Sequence, residues 1–134
     1  MTALGIFLAA LAPGAAPAAP PPERPVSVSL VRLIADPAAF DGKLVRVIGF
    51  VRIEHEDTAV YLHRDDDENL ITKNGLWLAV NDGIAEGSKE AAANGRYALV
   101  EGRFRAKEKG HLGLWSGSIK EVTRLEAWSV RRKK

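Results

Sequence analysis

Lys43-Leu44-Val45-Arg46-Val47-Ile48-Gly49-Phe50-Val51-Arg52-Ile53-Glu54 is the stretch on which the fold turns. β-Branched residues recur through it, and apolar side chains fall on both alternating faces, the pattern of a strand covered on both sides. Gly49 sits in its middle. A glycine inside a strand weakens it unless the strand must bend or bulge there. A long first strand that bends at a glycine can serve two sheets at once.

Four more strands follow. Ala59-Val60-Tyr61-Leu62-His63 is the second, reached through a short turn at Glu56-Asp57. Gly75-Leu76-Trp77-Leu78-Ala79-Val80 is the third, ended by the turn signal Asn81-Asp82-Gly83. Residues 96–105 form the fourth, with Gly102 inside it, and residues 118–128 the fifth. Alternation in the fifth slips between Val122 and Leu125, the sign of a bulge. Ile84 to Ala93 is helix-favouring in composition and is stopped by Asn94-Gly95. Ahead of the first strand, Leu30, Val31, Leu33 and Ile34 space a short helix with Ser29 as its N-cap. Pro37 ends that helix, and Asp41-Gly42 makes a turn into the strand. The predicted fold is mostly β: a small five-stranded OB-like Greek-key barrel with a short helix between strands three and four and a short N-terminal helix. An SH3-like barrel is the alternative, and the 84–93 segment favours the OB order.

The chain has 134 residues, room for one domain. It has no cysteine, which excludes disulfides, thiolate nucleophiles and Cys-based zinc sites. The net charge of +2 hides a split, because Arg131, Arg132, Lys133 and Lys134 supply +4. Without them 15 basic side chains face 17 acidic ones, or −2. Residues 1–22 carry no charged side chain, and the apolar run Leu4 to Ala12 is too short to span a bilayer but suits the apolar core of a secretory signal. Ala16-Pro17-Ala18 fits a small-x-small cleavage pattern. The expected organisation is a signal peptide over 1–18, a Pro/Ala-rich spacer over 19–28, the barrel over 29–128 and a basic tail over 129–134. The expected location is periplasmic or secreted.

Phe40-Asp41-Gly42-Lys43, Val60-Tyr61-Leu62-His63, Ile71-Thr72-Lys73-Asn74-Gly75-Leu76-Trp77 and Gly110-His111-Leu112-Gly113 running into Ser116-Gly117 together carry a resemblance. On them, residues 29–128 resemble an uncharacterised family of small exported bacterial OB-fold-like proteins. The resemblance implies a fold and a compartment and no activity.

OB-folds usually bind on the face of strands two and three, framed by neighbouring loops. Here that face points to Tyr61, His63 and Trp77, with His111 and Trp115 from the loop over 107–116, as the candidate ligand-binding residues. Aromatic side chains so placed can stack bases. The charges oppose that use, since Glu54, Glu56, Asp57, Asp65, Asp66, Asp67 and Glu68 crowd one stretch with Arg64 as its only Lys or Arg. Asp65-Asp66-Asp67-Glu68-Asn69 starts like a calcium loop, but Leu70 and Leu76 stand where the EF-hand pattern needs Gly and Glu; a solvated acidic loop is expected. His55, His63 and His111 have no familiar metal spacing. Gly113-Leu114-Trp115-Ser116-Gly117 is not a nucleophile elbow, and no catalytic residue is assigned.

The reading is of a non-enzymatic, exported binding module without a cofactor or metal. Its expected partner is an envelope protein or a polar or cationic ligand. The alternatives are a single-stranded nucleic-acid-binding OB domain and, behind it, a small hydrolase or metal-binding protein.

Overall fold

Val45, Val47 and Val51 alternate along one face of the strand Leu44–Arg52 and are at most 1% exposed. That strand is β2, and the barrel is built around it. The computed structural model describes residues 1, 3, 5–6, 8–80 and 84–130. Thr2, Leu4 and Phe7 of the leader, the expected turn at Asn81-Asp82-Gly83 and the basic run 131–134 lie outside the described residues.

The elements in order are β1 (Val26–Ser27), α1 (Leu30–Ala35), β2, β3 (Ala59–Tyr61), α2 (Arg64–Glu68), β4 (Gly75–Leu78), β5 (Arg96–Arg105) and β6 (Ser118–Ala127). β2 pairs antiparallel with β3 and β5, β3 with β4, and β5 with β6, while β4 and β6 run parallel. The circuit β2-β3-β4-β6-β5-β2 closes. This is a small OB-like barrel, as the strand order predicts. Inside it Val45, Val47, Val51, Val60, Leu76, Leu78, Val100, Phe104 and Ile119 form one apolar core.

Gly49 leaves room where the rest of the chain presses closest on β2. A Cβ there would lie 2.5 Å from Leu30 Cδ1 and 2.7 Å from the Tyr61 carbonyl oxygen. Only a bare backbone lets α1 press Leu30 and Leu33 into the core at that point. Ser29 caps α1 as expected, its Oγ accepting from the Arg32 amide at 3.2 Å. The bulge in β6 falls opposite Gly102: Glu101 pairs with Arg124 and Arg103 with Lys120, leaving residues 121–123 against one position.

Three expectations change. The spacer does not run to residue 28, because Val26–Ser27 adds parallel to β2 and Glu23 grips Arg103 through two hydrogen bonds of 3.0 and 2.8 Å. The helix expected over 84–93 contracts to one 3-10 turn at Ala91–Ala93. Gly87, at φ +78°, breaks the run, and no apolar periodicity resists the break. The acidic stretch is α2, a short helix rather than a loop. Among the described residues, no helix is long and apolar enough to cross a membrane.

Candidate functional site

Strand alternation sends Val60, Leu76 and Leu78 into the barrel and Ala59, Tyr61 and Trp77 to its outer face. That outer face is the one where OB-like barrels bind, and here the chain covers it. The segment after β5 folds back across β3 and β4 and lays Trp115 on Ala59 and Tyr61. Hydrogen bonds hold it there: the Ser116 hydroxyl donates to the Lys73 carbonyl at 2.6 Å, and the Thr72 hydroxyl to the Leu114 carbonyl at 3.0 Å. Tyr61 and Trp115 are only 3% and 2% exposed. Neither offers a face on which a base could stack.

Burial pushes the Tyr61 phenol pKa up, with the neighbouring Trp115 indole holding it partly down. The indole is close enough for that effect, yet among the described residues its buried N–H makes no hydrogen bond of regular geometry with Tyr61 or any other group.

Trp77 remains half-buried at the edge of this cluster. Its Nε1–H reaches the Glu56 carbonyl at 3.4 Å, and the Gly110 backbone lies on its ring. Trp77 therefore ties the β2–β3 turn to the β5–β6 loop. Beside it opens a cleft of about 930 Å³. Ile53, Leu78, Val80 and Ile84 give it apolar walls. Glu54, His55 and Glu56 from one loop and Glu108, Lys109 and His111 from the other add polar groups. Glu108 is engaged by Lys120 at 2.5 Å, whereas Glu54 and Glu56 are exposed and form no ion pair among the described residues.

The five expected site residues thus separate. Trp77 and His111 share the cleft. Tyr61 and Trp115 are packed beneath the loop. His63 precedes α2, away from the cleft, with its Nδ1 3.4 Å from the Tyr97 hydroxyl. His55 meets His111 in the cleft, but among the described residues no three His, Asp or Glu side chains are grouped to hold a metal ion. Ser116 is committed to the Lys73 carbonyl and not to His111. The cleft residues Glu54 and Glu56 stood out in the sequence as part of an acidic run and, by the strand period of two, as a pair of carboxylates on one face. Glu108 and Lys120 carried no sequence signal, since their meeting depends on how the loop returns.

The acidic run itself divides. Asp65 and Glu68 face water, while Asp66 and Asp67 are 7% and 9% exposed. Asp66 accepts from the His63 amide at 3.1 Å and from Asn74 Nδ2 at 2.9 Å. Asp67 accepts from Arg52 Nη2 at 2.7 Å and Nε at 2.9 Å, and it raises the pKa of that guanidinium. Two of the acids are therefore structural, and a solvated loop is the wrong picture for them.

No family model matches the chain, and no curated protein matches it. A solved structure does: a DUF3299 family protein from Pseudomonas aeruginosa PAO1, with a TM-score of 0.54 and 9% identity, covering 81% of this chain and 99% of that one. At that identity the likeness concerns the fold alone. The class reached is a small OB-like β-barrel, akin in fold to a member of an uncharacterised bacterial family.

Proposed function

We propose that the chain is an exported, non-enzymatic binding module whose cleft takes a polar cationic ligand or a basic segment of an envelope protein. One observation carries this reading. Glu54 and Glu56 stand exposed, with no ion-pair partner among the described residues, at the edge of a cleft with apolar walls. A ligand with an aliphatic stem and a cationic head complements both, burying its stem and pairing its head. The single-stranded nucleic-acid alternative is weakened by the burial of Tyr61 and Trp115 and by the two glutamates, which repel phosphate. Export rests on the uncharged leader, its short apolar core and the Ala16-Pro17-Ala18 pattern.

The test is a thermal melt with spermidine, an oligolysine peptide and oligo-dT in separate arms. A ligand present at 100 times its Kd adds about 2.7 kcal/mol, and each kcal/mol moves the Tm of a domain this size by about 4–8 °C. The expected result is a shift with a cationic arm that disappears in Glu54→Gln/Glu56→Gln. A shift with oligo-dT alone, no shift at all, or a cationic shift that survives the double replacement overturns the proposal.

A further inference from the structure

The cleft beside Trp77 carries charge of both signs, and the signs divide between its two loops. Glu54 and Glu56 come from the β2–β3 loop, and Lys109 comes from the β5–β6 loop. The other charged pair lining it, Glu108 and Lys120, is joined to itself. Glu54, Glu56 and Lys109 form no ion pair among the described residues. His55 and His111 line the cleft from the same two loops.

Both loops rest on one indole. The Glu56 carbonyl accepts from Trp77 Nε1–H, and Gly110, next to Lys109, lies on the Trp77 ring. Glu56 and Lys109 are thus held on the same side chain without closing on each other. The backbone fixes where Lys109 starts. Its carbonyl accepts from the Trp115 amide at 3.1 Å, and the Glu108 carbonyl before it accepts from the hydroxyl of the fully buried Ser118. The Lys109 side chain is left with a weak contact, its Nζ 3.4 Å from the Ser116 carbonyl. A carboxylate is a stronger acceptor for an ammonium than a neutral carbonyl at that distance.

Resting on the cation-binding reading of this cleft, we propose that its ligand is an amino-carboxylate: an aliphatic ammonium group whose stem leads back to a carboxylate, as in a lysine at a free chain end. The ammonium pairs with Glu54 and Glu56, the stem lies against Ile53, Leu78 and Val80, and the carboxylate meets Lys109. A cleft of about 930 Å³ has room for such a group. Lys109 also supplies selectivity, because it repels a ligand that brings only positive charge and attracts one that brings a carboxylate.

The experiment is an NMR titration of the full chain with two probes, Nα-acetyl-lysine and Nα-acetyl-lysinamide. They share the ammonium and the stem and differ in the carboxylate. A cleft that reads only positive charge prefers the amide, whose net charge is higher. The expected order is the reverse, with the acid tighter by about three- to fivefold, the strength of a solvent-exposed ion pair. Lys109→Gln removes that preference and leaves amide binding no weaker, whereas Lys109→Arg keeps it. Glu54→Gln/Glu56→Gln abolishes binding of both probes. No binding of either probe, or binding that survives the double replacement, overturns the cation-binding reading and this inference with it. An amide bound as tightly as the acid, or a preference for the acid that persists in Lys109→Gln, overturns this inference alone.

Discussion

The backbone of Gly110 lies so close to the Trp77 ring that a Cβ on residue 110 would sit 2.5 Å from Trp77 Cγ. Gly110 also adopts φ 69° and ψ −161°, a region open to glycine alone. Gly110→Ala is therefore expected to lift the β5–β6 loop from Trp77 and to cost about 1–3 kcal/mol. Thermal melting and Trp emission check this; an unchanged melt would show that the loop does not depend on this contact.

Arg52 and Asp67 form a pair whose acid is nearly buried and whose guanidinium keeps about a third of its side-chain exposure. Removing one partner strands the other. Arg52→Met is expected to cost about 2 kcal/mol by urea denaturation. Arg52→Met with Asp67→Asn should recover part of that loss, because the uncompensated charge is gone. A double variant worse than the sum of its singles would refute the pairing.

Trp115→Ala removes the cover from Tyr61 and is expected to cost about 3–5 kcal/mol. Trp115→Phe should cost far less, about 1 kcal/mol, because the indole N–H it deletes is buried with no hydrogen bond of regular geometry among the described residues. Equal costs for the two replacements would mean that the indole N–H has a partner.

Leu112 sits at the tip of the same loop, 79% exposed, with φ 54°. Left-handed backbone strains a leucine and suits asparagine. Leu112→Asn is expected to raise stability by up to about 1 kcal/mol, read as an increase in Tm. A decrease would place a packing role on this leucine.

Arg103 holds the Glu23 carboxyl below its ordinary value of 4.5, chiefly through its hydrogen bonds. The folded-state pKa is depressed, so the contribution to docking is fully present above pH 4.5 and is lost as pH falls through the lowered value. The 23–28 segment should therefore loosen in acid before the barrel unfolds. Hydrogen exchange at the Val28 amide, which donates to the Arg46 carbonyl at 3.0 Å, reports this. In Glu23→Gln that acid step should vanish.

Much of the barrel was legible from local rules. The strand over 96–105 is read with its observed limits, because both turn signals and alternation bound it. The cap at Ser29 and the turn at Asp41-Gly42 follow from side-chain chemistry within a few residues. α2 was not legible, because Arg64–Glu68 has no apolar periodicity, and its anchors come from Arg52 and Asn74. The candidate site was legible in part. Trp77 and His111 meet in the cleft, but nothing local distinguishes a Trp115 that stacks on a ligand from one that covers Tyr61.

By itself the sequence determined the strand order, the helix cap and the excess of acid in the body of the chain. Those properties depend on period, on backbone freedom and on composition, all of which act over a few residues. Only the tertiary structure decided which acids are solvated, which aromatic side chains are covered and which loops share a cleft. Such outcomes depend on residues far apart in the chain, Asp67 with Arg52 and Trp115 with Tyr61, and on the desolvation each suffers when the barrel closes.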